Sequence, residues 1–347
     1  MTFNGQFGGK VRQQDLEKFQ KSEAWKDGKF QNLIETRMDF YFSKLPKLLK
    51  DNFTGKTARV PKKDIPILPF KRENFKPDGE PKFIWYGHSV CLLQLSGINL
   101  LIDPMLGPNA SPIAPFATKR FSKNSLAIID TLPKIDAVLM THDHYDHLDL
   151  DSIKKLKTKV DTWFVGLGIS RHLEKWGVPA HQITELDWWD NLDFKGIKLT
   201  YTPSRHFAGR GALDKAKSFW GGFVFNTPKY NVYWTGDGGY GPHFKDIGKK
   251  LGPFDFGFIE CGQYNENWHA IHMYPEEAVQ ATIDAKVKVA TPVHWGGFSL
   301  APHHWKEPVD RFCAEAEKEK LETCTPHIGE IVDMKNPTKT RWWLNFK

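Results

Sequence analysis

The chain lacks the features that mark membrane-spanning or disulfide-stabilised proteins. Its 347 residues include only four cysteines, Cys91, Cys261, Cys313 and Cys324, and no Cys-x-x-Cys pair, so we interpret them as ordinary reduced cysteines. No apolar run approaches the ~20 residues that a membrane span needs. The start, residues 1–6, has neither the basic head nor the apolar core of a signal peptide. We therefore expect a cytoplasmic protein.

The chain has ample material for a core, but its charge is uneven. Hydrophobic residues make up 40% and aromatic residues 14% of the sequence, which indicates a globular protein. Residues 1–76 contain 17 Lys or Arg against 9 Asp or Glu, a surplus that accounts for the whole net charge of +7. Two interpretations stay open for this segment: an amphipathic helix docked on the main domain, or attraction to an anionic membrane or nucleic acid.

Composition divides the chain into a lead-in and a main domain. We expect residues 1–80 to form a lead-in that is basic, aromatic and partly helical and that packs on the main domain. Residues 81–347 show short apolar runs separated by Gly, Pro and Asp, which is typical of successive strands, and helical segments follow them. Strands and then helices, repeated twice, indicate an α/β fold with two sheets packed together and helices outside.

Histidines cluster where one predicted strand ends. The apolar run 135–140 leads into Thr141-His142-Asp143-His144-Tyr145-Asp146-His147. Neutral imidazole and carboxylate are ligands for zinc-like divalent metals, and a turn lets alternate residues converge while the next two open a second site. The stretch therefore predicts a metal site, against the alternative of a loop that is merely rich in histidine.

Three further polar residues, His206, Asp237 and His294, each stand just past a short apolar run. Taken singly, each histidine would more often be structural, and Asp237 a turn residue. Their joint occurrence favours ligands, because four or five histidines and two carboxylates fill two coordination spheres and leave room for water. Two cations lower the pKa of that water and clamp both oxygens of a displacement.

Together these residues resemble the ligand set of the metallo-β-lactamase superfamily of binuclear metal hydrolases. The resemblance implies a four-layer αβ/βα sandwich over residues 81–347, with two zinc ions, rather than iron or manganese, at one edge between the sheets. The ligands that it implies for one metal are His142, His144 and His206. Those for the second metal are Asp146, His147 and His294. Asp237 would bridge the two metals.

The same resemblance implies three catalytic candidates, Asp146, Asp103 and His272. Asp103, in Ile102-Asp103-Pro104, matches a strand-end aspartate that would orient a ligand histidine or the nucleophile. His272 matches a histidine near the substrate head group, and it would bind the phosphate or amide or protonate the leaving oxygen. His88 lies in a loop that the family brings near the metals, and a structural role for it stays equally open.

Further motifs resemble one branch of the superfamily, the N-acyl-phosphatidylethanolamine-hydrolysing phospholipases D and their bacterial relatives. The motifs include residues 102–106, Trp220-Gly221-Gly222, residues 235–240, His272-Met273-Tyr274-Pro275-Glu276-Glu277 and His294-Trp295-Gly296. The resemblance runs from about residue 30 to residue 304. It implies a phosphodiesterase that releases phosphatidic acid and an N-acylethanolamine.

Several alternatives to this function stay open. They are a lactonase or phosphodiesterase for a soluble small metabolite, a nuclease that uses the basic lead-in, and a non-catalytic binding protein. A redox di-iron centre is disfavoured because a glutamate usually replaces His144 in such relatives. We expect a phospholipid or other phosphodiester as substrate, peripheral contact with the inner face of the membrane through Trp25 to Leu49, and no nucleic-acid partner. A homodimer is left open.

Overall fold

Residues 5–37 of the lead-in contribute one helix and one small hairpin to the fold. The computed structural model describes residues 5–37, 59–111, 118–211 and 214–346. The part of the expected membrane-contact segment that spans residues 38–49 therefore lies outside the described residues. Helix α1 covers Gln13–Phe19, and strands β1 (Trp25–Lys26) and β2 (Lys29–Phe30) pair antiparallel.

Residues 25–30 of the lead-in form a hairpin and not a helix. Asp27 and Gly28 connect its two strands, with φ angles of 53° and 70°. Asp-Gly favours such left-handed turns, which match the twist of paired strands. Phe30 at the end of the hairpin is buried, with its ring centroid 4.6 Å from that of Phe219. The described lead-in is thus part of the core.

Two seven-stranded sheets form the centre of the molecule. The strands of the first sheet are β3 (Lys82–Trp85), β4 (Cys91–Leu95), β5 (Ile98–Ile102), β6 (Ala137–Met140), β7 (Trp163–Gly166), β8 (Ile183–Leu186) and β16 (Ile331–Asp333). Those of the second are β9 (Asn191–Phe194), β10 (Ile197–Thr202), β11 (Gly222–Asn226), β12 (Asn231–Trp234), β13 (Phe254–Glu260), β14 (Val287–Val293) and β15 (Glu322–Thr323).

Parallel pairing in both sheets sets up a common edge. The spatial orders are β16-β3-β4-β5-β6-β7-β8 and β15-β14-β13-β12-β11-β10-β9. β5, β6 and β7 run parallel in the first sheet, as do β12, β13 and β14 in the second. Because the carboxyl ends of parallel strands meet at one edge of a sheet, the residues that follow these strands lie near one another.

Side-chain alternation builds the layers. In β3, Phe83 points into the core between the sheets, where its ring centroid lies 4.9 Å from that of Phe258, whereas its neighbour Ile84 joins a second core under the helices. Period-two alternation of a strand that is buried on both faces produces this split. The remaining helices are α2 (Ile128–Thr131), α3 (Leu150–Leu156), α4 (Ser170–Lys175), α5 (His243–Lys250), α6 (Pro275–Asp284) and α7 (Glu307–Lys318).

The helices complete the predicted arrangement of layers. Ile153 of α3 and Leu173 of α4 bury against the outer face of the first sheet. α6 packs against β13 and β14, and α7 lies beside α6. The prediction of an α/β fold with two sheets between helices is confirmed. Among the helices of the described ranges, none combines the length and apolar character needed to cross a bilayer.

Candidate metal centre

Loops at the carboxyl ends of strands from both sheets converge on one buried cluster of ring nitrogens and carboxylates. The loop after β6 carries the residues from His142 to His147, and the loops after β10, β12 and β14 carry His206, Asp237 and His294. All seven residues that the sequence predicts as ligands lie in this cluster. Gly236 shapes the loop after β12, because its φ is +64° and a Cβ there would lie 2.2 Å from the Gly221 carbonyl oxygen.

Three imidazoles form what we call the three-histidine group: His142, His144 and His206. Nδ1 of His144 lies 3.0 Å from Nε2 of His142 and 3.2 Å from Nε2 of His206. The ring planes of His142 and His206 are nearly perpendicular, at 83°. Three ring nitrogens thus point at one small volume, which suits a metal ion that accepts a lone pair from each.

A second set of side chains, the mixed group, consists of His88, Asp146, His147 and His294. Oδ2 of Asp146 lies 2.9 Å from Nε2 of His88, 3.6 Å from Nε2 of His147 and 4.0 Å from Nε2 of His294. The structure therefore places His88 in the cluster, where the sequence left its position open. One carboxylate and up to three imidazoles are available there for a second ion.

Asp237 lies between the two groups. Its Oδ2 is 3.0 Å from Nε2 of His147, 3.1 Å from Nε2 of His294 and 3.9 Å from Nε2 of His142. His142 belongs to the three-histidine group and the other two histidines to the mixed group. The carboxylate therefore has the position that a ligand shared by two metals requires.

The outward nitrogens of these histidines are held by hydrogen bonds. Nδ1 of His206 donates to the Ile271 carbonyl oxygen at 3.0 Å. Nδ1 of His147 lies 2.9 Å from Oδ2 of Asp103, and Nδ1 of His294 lies 3.0 Å from Oγ of Ser89. A partner on Nδ1 fixes the ring orientation and leaves Nε2 for a metal. Asp103 thus contacts His147, one of the predicted ligands.

Burial keeps most of the imidazoles neutral. It holds the pKa values of His142, His206 and His294 well below the ordinary value. A neutral imidazole is the form that binds metal. Burial also acts to lower the pKa of His147, yet the surrounding carboxylates, first among them Asp237, outweigh it and raise that pKa well above the usual range.

The His147–Asp237 contact shows how the cluster fits a metal. Burial raises the pKa of Asp237 to about 6, although His147 acts in the opposite direction. The raised pKa of His147 favours its protonated ring, which lies 3.0 Å away and compensates the charge of the buried carboxylate. Nε2 of His294 is buried and makes no hydrogen bond within the described residues. A divalent cation would satisfy this nitrogen and replace the proton, so the donor set fits metal binding.

Asp103 is tightly constrained. Its Oδ1 accepts from the Thr141 backbone N–H at 2.8 Å, its Oδ2 accepts from the Thr141 hydroxyl at 2.6 Å, and its φ is +40°. Left-handed backbone in a residue other than glycine persists only where surrounding contacts enforce it. Asp103 therefore connects the ring of His147 with Thr141, the first residue of the loop that spans residues 141–147 and that we call the histidine loop.

We expect Asp103→Asn to weaken metal binding in the mixed group by ~10–100-fold, the usual effect of losing a carboxylate behind a ligand histidine. An amide cannot accept at both of its terminal atoms, so either Thr141 or His147 loses its partner. Competitive metal titration checks this, with Asp130→Asn as a control, since Asp130 pairs with Lys155 on the surface. Unchanged affinity for both ions would contradict the role assigned to Asp103.

His272 lies beside the cluster, with a partner that the sequence analysis missed. Its Nδ1 is 3.0 Å from Oε1 of Glu260, the fully buried last residue of β13. Its ring stacks at 12° on that of His294, with centroids 5.2 Å apart. Burial raises the pKa of Glu260 well above the usual value and lowers that of His272 to about 3.

Only part of the cluster is accessible. The side chains of His142, His147 and His294 are about 1% exposed, whereas those of Asp146 and His272 are 13% and 12% exposed. A molecule that approaches the cluster therefore first meets Asp146, His272 and His144, which is also partly exposed. This access is compatible with a role for His272 on a substrate.

The histidine loop is anchored from outside the cluster. Oδ1 of the buried Asp143 accepts from the Gly209 N–H at 2.7 Å, and its Oδ2 lies 3.1 Å from Nε2 of His172. The buried guanidinium of Arg210 donates to the Asp143 carbonyl oxygen at 2.7 Å. These bonds join the loop after β6 to the loop that carries His206.

Comparison with known protein structures places the fold. Residues 98–295, more than half of the chain, match the family described as "Beta-lactamase superfamily domain". Igni18, a metallo hydrolase from the hyperthermophilic archaeon Ignicoccus hospitalis, aligns with a TM-score of 0.57 at 21% identity, covering 73% of this chain and 97% of that chain. The chain belongs to the metallo-β-lactamase superfamily of hydrolases.

Two relatives refine this placement. An uncharacterized protein of Mycobacterium tuberculosis is 36% identical over 331 residues, which is 93% of this chain and 88% of that protein. The N-acyl-phosphatidylethanolamine-hydrolyzing phospholipase D 1 of Caenorhabditis elegans is 30% identical over 285 residues, which is 77% of this chain and 80% of that protein. The resemblance expected from the sequence is confirmed.

Proposed function

We propose that the protein is a binuclear, zinc-dependent phosphodiesterase of the phospholipase D type that hydrolyses N-acyl-phosphatidylethanolamine to phosphatidic acid and an N-acylethanolamine. The observation that carries the metal assignment is the position of Asp237 between the three-histidine group and the mixed group. The similarity to the Caenorhabditis elegans phospholipase D over most of both chains supports the substrate class.

In this proposal each group would hold one zinc ion. His142, His144 and His206 would hold the first, and Asp146, His147 and His294 the second, with His88 supporting Asp146 through their 2.9 Å contact. Asp237, which lies between the two groups, would serve both ions. Imidazole and carboxylate without thiolate is the donor set of catalytic zinc sites. When bound, such a pair of ions activates water near neutral pH and stabilises the charge of a phosphoryl group under attack.

The chain's own residues orient the reactants. Asp103 holds the ring of His147, and Asp146, at the accessible side of the cluster, combines a ligand's role with contact to incoming substrate. His272 supplies a hydrogen bond from Nε2 to the phosphate or to the departing alcohol oxygen, because Nδ1 is occupied by Glu260. Glu260 therefore positions His272.

A cleft beside His206 suits the apolar part of a lipid. It measures about 870 Å³ and is lined on one side by residues 29–37 and on the other by His206, Phe207 and Ile271. Leu33 on its rim is 55% exposed. Ligand clefts of this size combine apolar walls with a few polar groups. We assign the cleft to an acyl chain whose phosphodiester lies at the metal centre.

A substrate panel tests the proposed function. The purified, zinc-loaded protein is incubated with N-acyl-phosphatidylethanolamine, phosphatidylethanolamine, glycerophosphodiesters, bis-p-nitrophenyl phosphate and lactones. We expect the highest kcat/KM on the N-acylated phospholipid, with phosphatidic acid as the phosphorus-containing product. Preference for a lactone or for a water-soluble phosphodiester would instead make the protein a hydrolase of small metabolites.

The lead-in should promote catalysis on lipid surfaces specifically. Deleting the lead-in would remove the buried Phe30 and expose the core residues that it covers, such as Phe219. A point variant is therefore a better test of lipid contact. We expect Leu33→Asp to lower turnover of vesicle substrate about tenfold, because burying one leucine contributes roughly 1.5–3 kcal/mol. Turnover of bis-p-nitrophenyl phosphate should stay within about twofold.

Leu344→Asp is the matched control, since Leu344 is 54% exposed but does not line the cleft. It should affect neither substrate. Raising salt should also weaken vesicle binding, because the lead-in's basic charge is screened over ~10 Å at ordinary ionic strength. Equal losses on both substrates in Leu33→Asp would show that the lead-in is structural only.

A further inference from the structure

His206 differs from the other candidate ligands in how its backbone is held. Like the other candidate ligands, it lies outside any strand, four residues beyond the end of β10. Its ring is fixed by the Ile271 carbonyl oxygen, but that bond leaves the main chain of the loop to be fixed by something else. A ligand whose backbone shifts moves its nitrogen with it, and metal sites tolerate only tenths of an ångström.

The side chain of Asn32 in the lead-in fixes that main chain. Its Nδ2 donates to the His206 carbonyl oxygen at 2.8 Å, and its Oδ1 accepts from the His206 N–H at 3.0 Å. The primary amide thus pairs with both backbone groups of one residue, as a neighbouring strand would. Oδ1 also accepts from Nε1 of the buried Trp220 at 2.9 Å, so three hydrogen bonds set the orientation of the amide.

Asn32 is itself held on both sides. On the N-terminal side, the Phe30 N–H donates to the Ala216 carbonyl oxygen at 2.9 Å, and the Phe30 ring is buried. On the C-terminal side, Nε of Arg205 donates to Oγ1 of Thr36 at 3.1 Å. Arg205 directly precedes His206. The lead-in therefore forms hydrogen bonds to two successive residues of the loop after β10.

We propose that Asn32 is a positioning residue for the metal bound by His142, His144 and His206, so that the lead-in is a structural part of the metal centre. The proposal rests on the two-metal centre of the proposed function. Side chains behind a ligand typically contribute ~10–100-fold to metal affinity by orienting it. Asn32 does so through the backbone of its ligand, across 174 positions of sequence.

Zinc titration of the metal-free protein against a chromophoric chelator tests this, because it yields two dissociation constants without any assay of activity. We expect Asn32→Ala to weaken the affinity for one of the two zinc ions ~10–100-fold. The affinity for the other ion should stay within about threefold of wild type. Gln31→Ala is the matched control for zinc binding: the Gln31 side chain bonds to Lys26 and Asp27 within the hairpin, and its N–H donates to the Ala24 carbonyl oxygen. Both zinc dissociation constants of this variant should stay at their wild-type values.

Asn32→Asp provides a second variant in case alanine prevents folding. Aspartate keeps the acceptor for the His206 N–H and for Trp220 but places a carboxylate oxygen against the His206 carbonyl oxygen in place of the donor, so we expect weaker binding of the same ion that Asn32→Ala affects. An equal loss of affinity for both ions, or wild-type affinities in both Asn32 variants, would overturn the positioning role proposed for Asn32. A wild-type protein that binds fewer than two zinc ions would instead overturn the two-metal centre.

Discussion

Asp237→Ala is expected to cost more activity than the loss of any single histidine ligand, lowering kcat/KM by ~10³-fold or more. The physical reason is that one carboxylate oxygen serves both groups: it lies 3.0 Å from Nε2 of His147, 3.1 Å from Nε2 of His294 and 3.9 Å from Nε2 of His142. Removing this carboxylate weakens the binding of both ions, because the two cations lose the negative charge that lies between them.

The measurement is a side-by-side comparison of kcat/KM and zinc content for Asp237→Ala, His142→Ala and His294→Ala. Each histidine variant should lose mainly one ion, whereas Asp237→Ala should lose affinity for both. Asp237→Asn, which keeps the shape but not the charge, should fall between wild type and Asp237→Ala. If the three alanine variants lose the same activity and the same amount of zinc, Asp237 is an ordinary ligand of one ion.

The second large effect is expected at His272, where alanine should lower kcat/KM by ~10²-fold while zinc content and thermal stability stay at wild-type values. Neither the three-histidine group nor the mixed group includes His272, whose Nδ1 is directed to Glu260 at 3.0 Å, although a ring nitrogen of His272 also lies within 4.8 Å of ligand atoms of His206 and Asp237. The loss should shrink with a good leaving group such as p-nitrophenol, because that alcohol departs without needing a proton.

His269→Ala is the matched control, because this neighbouring histidine pairs with Glu277 at the surface, 2.9 Å away. Glu260→Gln should reproduce part of the His272→Ala defect with the same dependence on the leaving group, since it disturbs only the orientation of the ring. A uniform loss across leaving groups would make His272 a binding residue. Loss of a zinc ion on substitution would make it a ligand.

The location of the candidate centre could be predicted from the sequence because one rule covers its members. His142, His206, Asp237 and His294 each follow an apolar strand. The strands β6, β12 and β14 belong to parallel pairs, whose carboxyl ends share an edge. The strand β10 pairs antiparallel with β11, and β11 with β12, so β10 ends at that same edge. Glu260 obeys the same rule as the last residue of β13. It stands without a motif around it, and it was missed because a single carboxylate at a strand end is also typical of a turn.

Contacts between distant segments could not be predicted in this way. The amide of Asn32 meets His206 only because the hairpin after α1 docks on the loop beyond β10. Polar edge strands were missed for a related reason: β9 (Asn191–Phe194) owes its conformation to pairing with β10, since only alternate side chains are partly buried. Tertiary pairing overrides weak local preference in such segments.

The lead-in shows both outcomes within one segment. Its partly helical character was predicted, and α1 provides it, but Trp25–Lys26 and Lys29–Phe30 form strands around an Asp-Gly turn. That dipeptide is a strong local signal for a hairpin. The expectation of a helix rested on the spacing of charges and aromatics, which a docked hairpin satisfies as well.

The central claim is that one chain holds two zinc ions, and elemental analysis of protein purified without chelators tests it most directly. The structure offers separate donor sets in the three-histidine group and the mixed group, with Asp237 between them. We predict two zinc ions per chain. One metal ion per chain, or a content dominated by iron, would contradict the account.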